Sequence, residues 1–295
     1  RLHLDAAGGA GRTSRAILEH LRNHGVQVKR FHRWSWRLPL RYNRRNHRKL
    51  LVVDGQIAYV GGFNIHRESA RSIVGEQRWR DTHIAVEGAL AAEAAHLFEA
   101  FWRGRPGAGR RGRIELPALL SNHSRACRRR LHRLYADALA SARERICVTT
   151  PYFVPDPRIL RRLVRAARRG LRVDLLVPAH SDVPLAQWAT RAYYGHLIKA
   201  GVRVHEYGPR MLHAKTLVID GRWAAVGTAN LDYRSLHLNY ELVVATDDAG
   251  LCARLQRQFD EDAAESVRIA VQTFGRRSWW QRLAERIVYA LRRWL

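Results

Sequence analysis

The stretch HRKLLVVD at residues 47–54 recurs 166 residues later as HAKTLVID at residues 213–220. Each copy continues to a glycine and an asparagine at the same spacing, so residues 47–64 and 213–230 are identical at ten of eighteen positions. The match extends upstream, where GVQV at 25–28 corresponds to GVRV at 201–204. The chain is therefore predicted to consist of two similar halves.

Strand and helix signals alternate along both halves. In each copy an apolar, β-rich run follows the histidine and the lysine, and an Asp-Gly turn signal ends it. Residues 81–87 parallel 241–246 as a strand, and residues 89–102 parallel 249–262 as a helix. This alternation predicts an α/β protein built from two layered units.

The predicted halves occupy residues 1–104 and 123–266. A linker rich in Gly, Arg and Pro is expected over 105–122, and a basic amphipathic tail over 267–295. In the second half a strand at 146–149 and a helix at 157–169 precede the strand at 172–177, which matches the start of the chain. The first half is therefore expected to lack its N-terminal strand and helix.

The charge of the chain restricts the class of partner. Among 295 residues, 52 are Lys or Arg and 26 are Asp or Glu, a net charge of +26. Such an excess indicates an anionic partner, either a nucleic acid or a membrane surface. Because no run of eighteen apolar residues occurs, no transmembrane span is expected. The three cysteines are too few and too scattered for a disulfide framework or a zinc site.

The repeated residues are the candidate catalytic groups. Histidine and lysine two positions apart project from the same face of a strand. Two histidines at one phosphate can have different roles, since one attacks phosphorus while the other protonates the leaving oxygen. Lysine and asparagine donors can neutralise the non-bridging oxygens. The candidates are His47, Lys49, Asn64, His213, Lys215 and Asn230.

The aspartate of each motif has a structural explanation. Asp54 and Asp220 each precede a glycine at a predicted hairpin turn, so we expect them to support the site and not to catalyse. The motifs contain no carboxylate cluster of the kind that hard cations need. No metal and no cofactor are therefore expected at this site.

The doubled His-x-Lys-x4-Asp-x6-Gly pattern resembles the signature motifs of the phospholipase D superfamily over nearly the whole chain. Its neighbourhoods, RNHRK (45–49), VGGFNI (60–65), WRDTH (79–83), TPYFVP (150–155) and LDYRS (231–235), are similar to those of bacterial cardiolipin synthases. The resemblance implies two α-β-α halves with mixed sheets, related by a pseudo-two-fold axis around one shared active site.

The resemblance also implies a reaction through a phosphohistidine. It makes His47 the nucleophile and His213 the general acid and then base. Asp81 and Glu241 would each orient the histidine of the opposite half. From the sequence alone, these two residues are equally well explained as acidic residues at the starts of strands.

The leading hypothesis for the function is phosphatidyl transfer, in which two phosphatidylglycerol molecules give cardiolipin and glycerol. It implies an anionic phospholipid substrate and a peripheral position on a bacterial cell membrane, at the cytoplasmic side. Alternatives are a phosphodiesterase that cleaves nucleic acid, a phospholipid hydrolase, and a binding module with a decayed site. The acceptor alcohol and the oligomeric state stay open.

The tail offers candidate membrane contacts. Its apolar positions recur at helical spacing with arginines opposite, which is typical of an interfacial helix. Trp279, Trp280 and Trp294 are the expected membrane-binding residues. The alternative is a terminal helix packed on the core.

Overall fold

The computed structural model describes residues 1–6, 15–31, 36, 43–105 and 112–270. The described part of the first half contains five strands, β1 (Leu2–Asp5), β2 (Val28–Phe31), β3 (Leu50–Val53), β4 (Ile57–Gly61) and β5 (His83–Glu87). Its described helices are α1 (Arg15–Asn23), α2 (Arg71–Val74) and α3 (Ala89–Trp102), with 3-10 turns at Arg67–Ser69 and Gly75–Gln77.

The second half is larger. Its strands are β6 (Ala118–Ser121), β7 (Arg145–Thr149), β8 (Phe153–Val154), β9 (Arg172–Pro178), β10 (Arg203–Tyr207), β11 (Thr216–Ile219), β12 (Trp223–Gly227), β13 (Leu231–Asp232), β14 (Leu242–Thr246) and β15 (Ser266–Arg268). Its helices are α4 (Arg125–Ser141), α5 (Pro157–Arg168), α6 (Pro184–Lys199), α7 (Tyr233–His237) and α8 (Ala249–Ala264).

Eight strands of the second half form one mixed sheet in the order β15-β10-β9-β7-β11-β12-β14-β6. Strands β7, β9 and β10 are parallel neighbours, whereas β11, β12, β14 and β6 continue the sheet in antiparallel pairs. The expected linker over 105–122 thus contributes β6 to one edge, and residues 267 and 268 of the expected tail lie in β15 at the other. The predicted α/β class with mixed sheets is confirmed.

The sheet of the first half is divided. Strands β3, β4 and β5 form one antiparallel sheet, and β1 and β2 form a separate parallel pair. In the second half, β7 joins the corresponding strands by pairing with both β9 and β11. The described part of the first half contains no counterpart of β7 or α5. Leu51 and Val53 on β3 are exposed.

The two halves share an apolar core. Ala58 and Val60 of β4 belong to the same buried cluster as Ala224 and Val226 of β12. Alanine and valine at these positions are small enough to let the two sheets approach closely. No helix within the described ranges is long and apolar enough to cross a bilayer.

Candidate active site

Reciprocal backbone hydrogen bonds hold the two histidine segments against the opposite half. The N–H of His47 donates to the carbonyl of Tyr240 at 3.0 Å, and that of His213 donates to the carbonyl of Arg80 at 2.7 Å. The N–H of Tyr240 returns a bond to Arg45, and the N–H of Arg80 returns one to Met211, both at 2.8 Å. These pairs occupy equivalent positions of the repeat, so the halves are related by a pseudo-two-fold axis.

Each histidine ring is oriented by a carboxylate from the other half. Nδ1 of His47 lies 3.1 and 3.0 Å from the two carboxylate oxygens of Glu241. Nδ1 of His213 lies 2.6 Å from Oδ2 of Asp81. An ionised carboxylate only accepts hydrogen bonds, so each Nδ1 carries the proton and Nε2 keeps its lone pair. The structure thus pairs these four side chains as the sequence resemblance implied.

Both carboxylates are held in the charged form despite their burial. Burial opposes ionisation of Glu241, but the charge and hydrogen bond of His47 keep its pKa below the ordinary value. Burial likewise opposes ionisation of Asp81, and the charge of Lys215 together with the hydrogen bond of His213 lowers its pKa. Two fixed anions therefore lie behind the two imidazoles.

The supports of the two carboxylates differ. Oγ1 of Thr228 donates to Oε2 of Glu241 at 2.5 Å. The equivalent residue in the first half is Gly62, where a Cβ would lie only 1.9 Å from Oδ1 of Asp81. The absence of a side chain at Gly62 thus creates the space that the Asp81 carboxylate fills.

The two histidines differ in access to solvent. The side chain of His47 is 27% exposed, whereas that of His213 is 5% exposed. The ring of Trp79 packs against the His213 ring at 5.1 Å between centroids. Burial and the positive charge of Lys215 lower the pKa of His213 to about 3. His213 is accordingly neutral near pH 7 when no phosphate is bound, and His47 is the more accessible of the two.

Lys215 is buried and Lys49 is half-buried, and the two ammonium groups are close enough to repel each other. Each Nζ donates to the carbonyl of the histidine two residues earlier, from Lys49 to His47 and from Lys215 to His213. Burial and the charge of Lys215 lower the pKa of Lys49 to about 7. Burial lowers the pKa of Lys215 to about 8. An anion placed between the two ammonium groups relieves both the repulsion and part of the cost of burial.

Asn64 and Asn230 follow the glycines that end β4 and β12. Oδ1 of Asn230 is buried and has no hydrogen-bond partner within the described residues. A buried polar atom left unpaired costs free energy unless a ligand or water satisfies it. The glycines before them are required sterically, because a Cβ at Gly61 or Gly227 would lie 2.3 or 2.2 Å from a backbone oxygen of the next strand.

Asp54 and Asp220 lie at turns away from the histidines. Both adopt a positive φ of 52°, as the Asp-Gly turns predict. The carboxylate of Asp220 accepts the backbone N–H groups of residues 143, 144 and 145, at 2.8, 2.9 and 2.7 Å. It therefore fixes the start of β7. Asp54 is exposed, and the described first half offers it no equivalent segment.

Three positioning residues were not predicted from the sequence. Asp5 accepts the N–H of Asn46 at 2.7 Å and thereby fixes the residue before His47. Arg80 makes a buried two-point ion pair with Asp262 of α8, at 2.9 and 2.7 Å. Its guanidinium also donates to the backbone carbonyl of Asp81 at 2.7 Å. These contacts join residues 41 and 182 positions apart, and nothing in their local sequence signals them.

The expected membrane-binding residues Trp279, Trp280 and Trp294 lie outside the described residues. Of the catalytic and supporting residues expected from the sequence, the structure brings together the two histidines, the two lysines and the two carboxylates behind them. Asp54 and Asp220 stand apart from this group.

Comparison with known proteins identifies the family. A model described as cardiolipin synthase, phospholipase D-like domain, matches residues 3–102 and 135–263. The chain belongs to this family. Cardiolipin synthase A of Erwinia tasmaniensis is 32% identical over 98% of the chain, and cardiolipin synthase A of Escherichia coli O157:H7 is 33% identical over 98%. The chain spans 63% of the length of each of these relatives.

A solved structure at lower sequence identity shares the fold. Phosphatidylserine synthase of Haemophilus influenzae Rd KW20 superposes with a TM-score of 0.63 at 14% identity, over 85% of this chain and 71% of its own. At that identity the likeness establishes the fold alone. The resemblance of this phospholipase D-like chain to its superfamily, predicted from the doubled motif, is confirmed.

Proposed function

We propose that this chain is a phosphatidyltransferase of the cardiolipin synthase type, which joins two phosphatidylglycerol molecules and releases glycerol. The observation that carries the proposal is the pairing of each motif histidine with a buried carboxylate of the opposite half. Such pairing gives one phosphate site two imidazoles of fixed tautomer. Family membership supports the same reaction class.

In the proposed first step, Nε2 of His47 attacks the phosphorus of one phosphatidylglycerol. The P–N bond forms as the P–O bond to glycerol breaks, and Nε2–H of His213 gives its proton to the departing glycerol oxygen. The greater exposure of His47 supports its role as nucleophile, since it must reach the phosphorus of a large lipid.

In the second step, Nε2 of His213 takes the proton of a hydroxyl on the second phosphatidylglycerol. The resulting oxygen nucleophile attacks the phosphohistidine, the P–N bond breaks, and cardiolipin leaves with His47 regenerated. Lys49, Lys215, Asn64 and Asn230 donate to the non-bridging oxygens as phosphorus becomes five-coordinate.

The low pKa of His213 is compatible with its role as an acid. Burial lowers the pKa of His213, and the positive charges of Lys215 and Lys49 lower it further. A bound phosphodiester anion neutralises these charges and adds an attraction for the imidazolium, so substrate binding raises the pKa of His213. His213 is thereby prepared to donate a proton once substrate is present.

Exposed apolar residues beside the site favour a lipid over a nucleic acid. The carboxylate of Asp182 acts electrostatically on Lys215, and it accepts a hydrogen bond from Tyr152 at 2.6 Å, so this segment lies near the site. Helix α6 begins directly after it and exposes Leu185 by 51% and Trp188 by 45%. Apolar residues of this kind at the rim of a basic site fit acyl chains better than a polar nucleic acid.

Product analysis tests the proposal. The chain is incubated with vesicles of labelled phosphatidylglycerol, with and without phosphatidylethanolamine, and in parallel with single-stranded DNA. We expect labelled cardiolipin and glycerol that disappear in the His47→Ala variant. Phosphatidic acid as the sole product would identify a hydrolase. DNA cleavage that depends on His47, without lipid turnover, would replace the proposal by the nuclease alternative.

A second measurement addresses the apolar rim. The double variant Leu185→Ser/Trp188→Ser is expected to sediment less with phosphatidylglycerol vesicles than the unmodified chain, because it loses two exposed apolar contacts. Ile17→Ser on α1, where the side chain is 52% exposed, is the control for loss of a surface apolar group. Equal vesicle binding by the double variant would show that α6 does not contact the lipid.

A further inference from the structure

A second cluster of potential ligand atoms lies in the second half, outside the repeated motifs. It contains His132 on α4, Asp156 at the N-terminus of α5, and His237 at the end of α7. Nε2 of His132 lies 2.7 Å from Oδ2 of Asp156, and Nε2 of His237 lies 3.8 Å from the same oxygen. One donor atom from each residue lies within 4.8 Å of the other two.

The carboxylate of Asp156 divides its two oxygens between two tasks. Oδ1 caps helix α5 by accepting the N–H groups of Arg158 at 2.8 Å and Ile159 at 3.3 Å. Oδ2 faces the two imidazoles. The capping role therefore leaves one carboxylate oxygen available to a further partner.

Both imidazoles are accessible enough to receive an ion from solvent. The side chain of Asp156 is buried, whereas His132 is 12% and His237 33% exposed. The ring of Tyr233 packs on His237 with 4.6 Å between centroids, which restrains the orientation of that imidazole. The three residues thus combine a buried anion, two part-buried imidazoles and an open side toward solvent.

We propose that His132, Asp156 and His237 form a binding site for a divalent transition-metal ion, with zinc as the ion that the ligand set fits best. Two imidazole nitrogens and one carboxylate oxygen are a ligand set used for zinc, with water in the fourth position. Tetrahedral ligands at zinc–ligand distances near 2.0–2.1 Å lie about 3.3 Å apart. The present separations of 2.7 and 3.8 Å from Oδ2 of Asp156 lie on either side of that spacing.

The position of the site assigns it a structural role. The ion would link three separate elements, α4, the start of α5 and the end of α7. Strand β13, which precedes α7, pairs with β8, which precedes Asp156. Three residues after His237, the chain reaches Tyr240 and then Glu241, which holds His47. A bound ion would therefore brace the segment that delivers Glu241, without touching the reacting atoms.

Metal titration of the full chain, first stripped with a chelator, tests the proposal. We expect the chain to bind one more equivalent of Zn²⁺ than the Asp156→Asn variant, and Zn²⁺ to raise its midpoint of thermal unfolding. Asparagine caps a helix as well as aspartate does, so this variant loses the ligand charge and keeps the cap. Its metal affinity should fall at least about 100-fold, the upper limit for loss of an outer hydrogen bond alone.

Two further variants make the test independent of helix capping. His132→Gln/His237→Gln removes both imidazoles and should also lose the equivalent of metal. His20→Gln/His24→Gln removes another neighbouring pair of imidazoles, whose rings lie 4.3 Å apart on and just after α1, and should retain it. Circular dichroism verifies that each variant is folded before titration.

The outcomes distinguish a metal site from a cluster that is held by hydrogen bonds and ion pairs alone. Equal metal binding by the unmodified chain and Asp156→Asn, both folded, would overturn the proposal and leave an ion pair that only caps α5. If only the His20→Gln/His24→Gln control lost the bound Zn²⁺, the proposal would also be overturned, because the metal site would then lie at α1. Co²⁺ substitution provides a second readout, since visible absorption of tetrahedral Co²⁺ must disappear in Asp156→Asn.

Discussion

The two halves present the same motif side chains from unequal frameworks. In the second half an eight-stranded sheet supports His213, and β7 lies between β9 and β11 with its start fixed by Asp220. In the described first half, β1 and β2 are separate from the sheet that supports His47, and the equivalent Asp54 is exposed. Yet both histidines have the same contacts across the interface. The geometry of the site therefore depends on contacts between the halves more than on the completeness of either sheet.

The largest effect on activity is expected when either of the two motif histidines is replaced. His47→Ala should lower transferase activity by at least about 10⁴-fold, because it removes the nucleophile of a covalent mechanism. His213→Ala should cost roughly 10²–10⁴-fold with a glycerol leaving group, the usual contribution of an acid–base group.

A nitrophenyl phosphodiester separates the two roles. Its leaving group needs no protonation, so His213→Ala should still form a phosphoenzyme, detectable by 31P NMR, whereas His47→Ala should not. The opposite pattern would exchange the roles of the two halves.

The next largest effect on activity is expected at the carboxylates that contact the histidine of the opposite half. Glu241→Gln and Asp81→Asn should each lower activity by about 10²–10⁴-fold, because an amide can stabilise the wrong tautomer of its histidine. Each variant should also shift the pH profile of kcat, which a purely structural role would leave unchanged. If only one of the two lowered activity, the two halves would not use their carboxylates in the same way.

A smaller effect concerns the pH dependence of stability. Since the pKa of His213 is lowered to about 3 in the folded chain, the unfolded chain binds more protons below about pH 6.5. The free energy of unfolding therefore falls as the pH falls from about 6.5 toward 3. His213 accounts for a loss of up to about 3 kcal/mol at pH 4. His213→Gln should flatten the fall in the free energy of unfolding between pH 6.5 and 4. His196→Gln, on an exposed part of α6, is the matched control.

The smallest effect compares the two aspartates at the turns. Asp220→Asn should lower the free energy of unfolding by about 1–3 kcal/mol, because an amide oxygen cannot replace a carboxylate that accepts three backbone N–H groups. Asp54→Asn should change it by less than about 0.5 kcal/mol, as at other exposed positions. Both variants keep a residue that tolerates positive φ. Urea unfolding measures the difference, and equal losses would indicate a partner for Asp54 that contributes as much as the segment at 143–145.

The sequence predicted those features of the fold and the site that follow from the repeated motif. The spacing of His47 and His213 with their lysines indicated two α/β halves and one phosphate site, because each motif carries its own local pattern. Internal comparison also led us to expect no counterparts of β7 and α5 in the first half, and this stays a prediction. The pairing of Asp81 with His213, and of Glu241 with His47, came from the family resemblance and not from spacing. Strand β6, within the expected linker, was missed because its pairing with β14 is a long-range contact.

Contacts between distant residues were not predictable in the same way. The bond of Asp5 to Asn46, the ion pair of Arg80 with Asp262, and the cluster of His132, Asp156 and His237 each join separate elements. None of these three contacts is indicated by the repeat or by a metal-ligand spacing in the sequence. Their proximity follows only from how the sheets and helices pack.

The dependence of each histidine on the opposite half has a consequence during synthesis. His47 leaves the ribosome 194 residues before Glu241, and Asp81 leaves 132 residues before His213. The first half can fold while the second is still being made, but Nδ1 of His47 has no carboxylate partner until Glu241 has been synthesised. A nascent chain that ends before residue 241 therefore cannot fix the tautomer of His47.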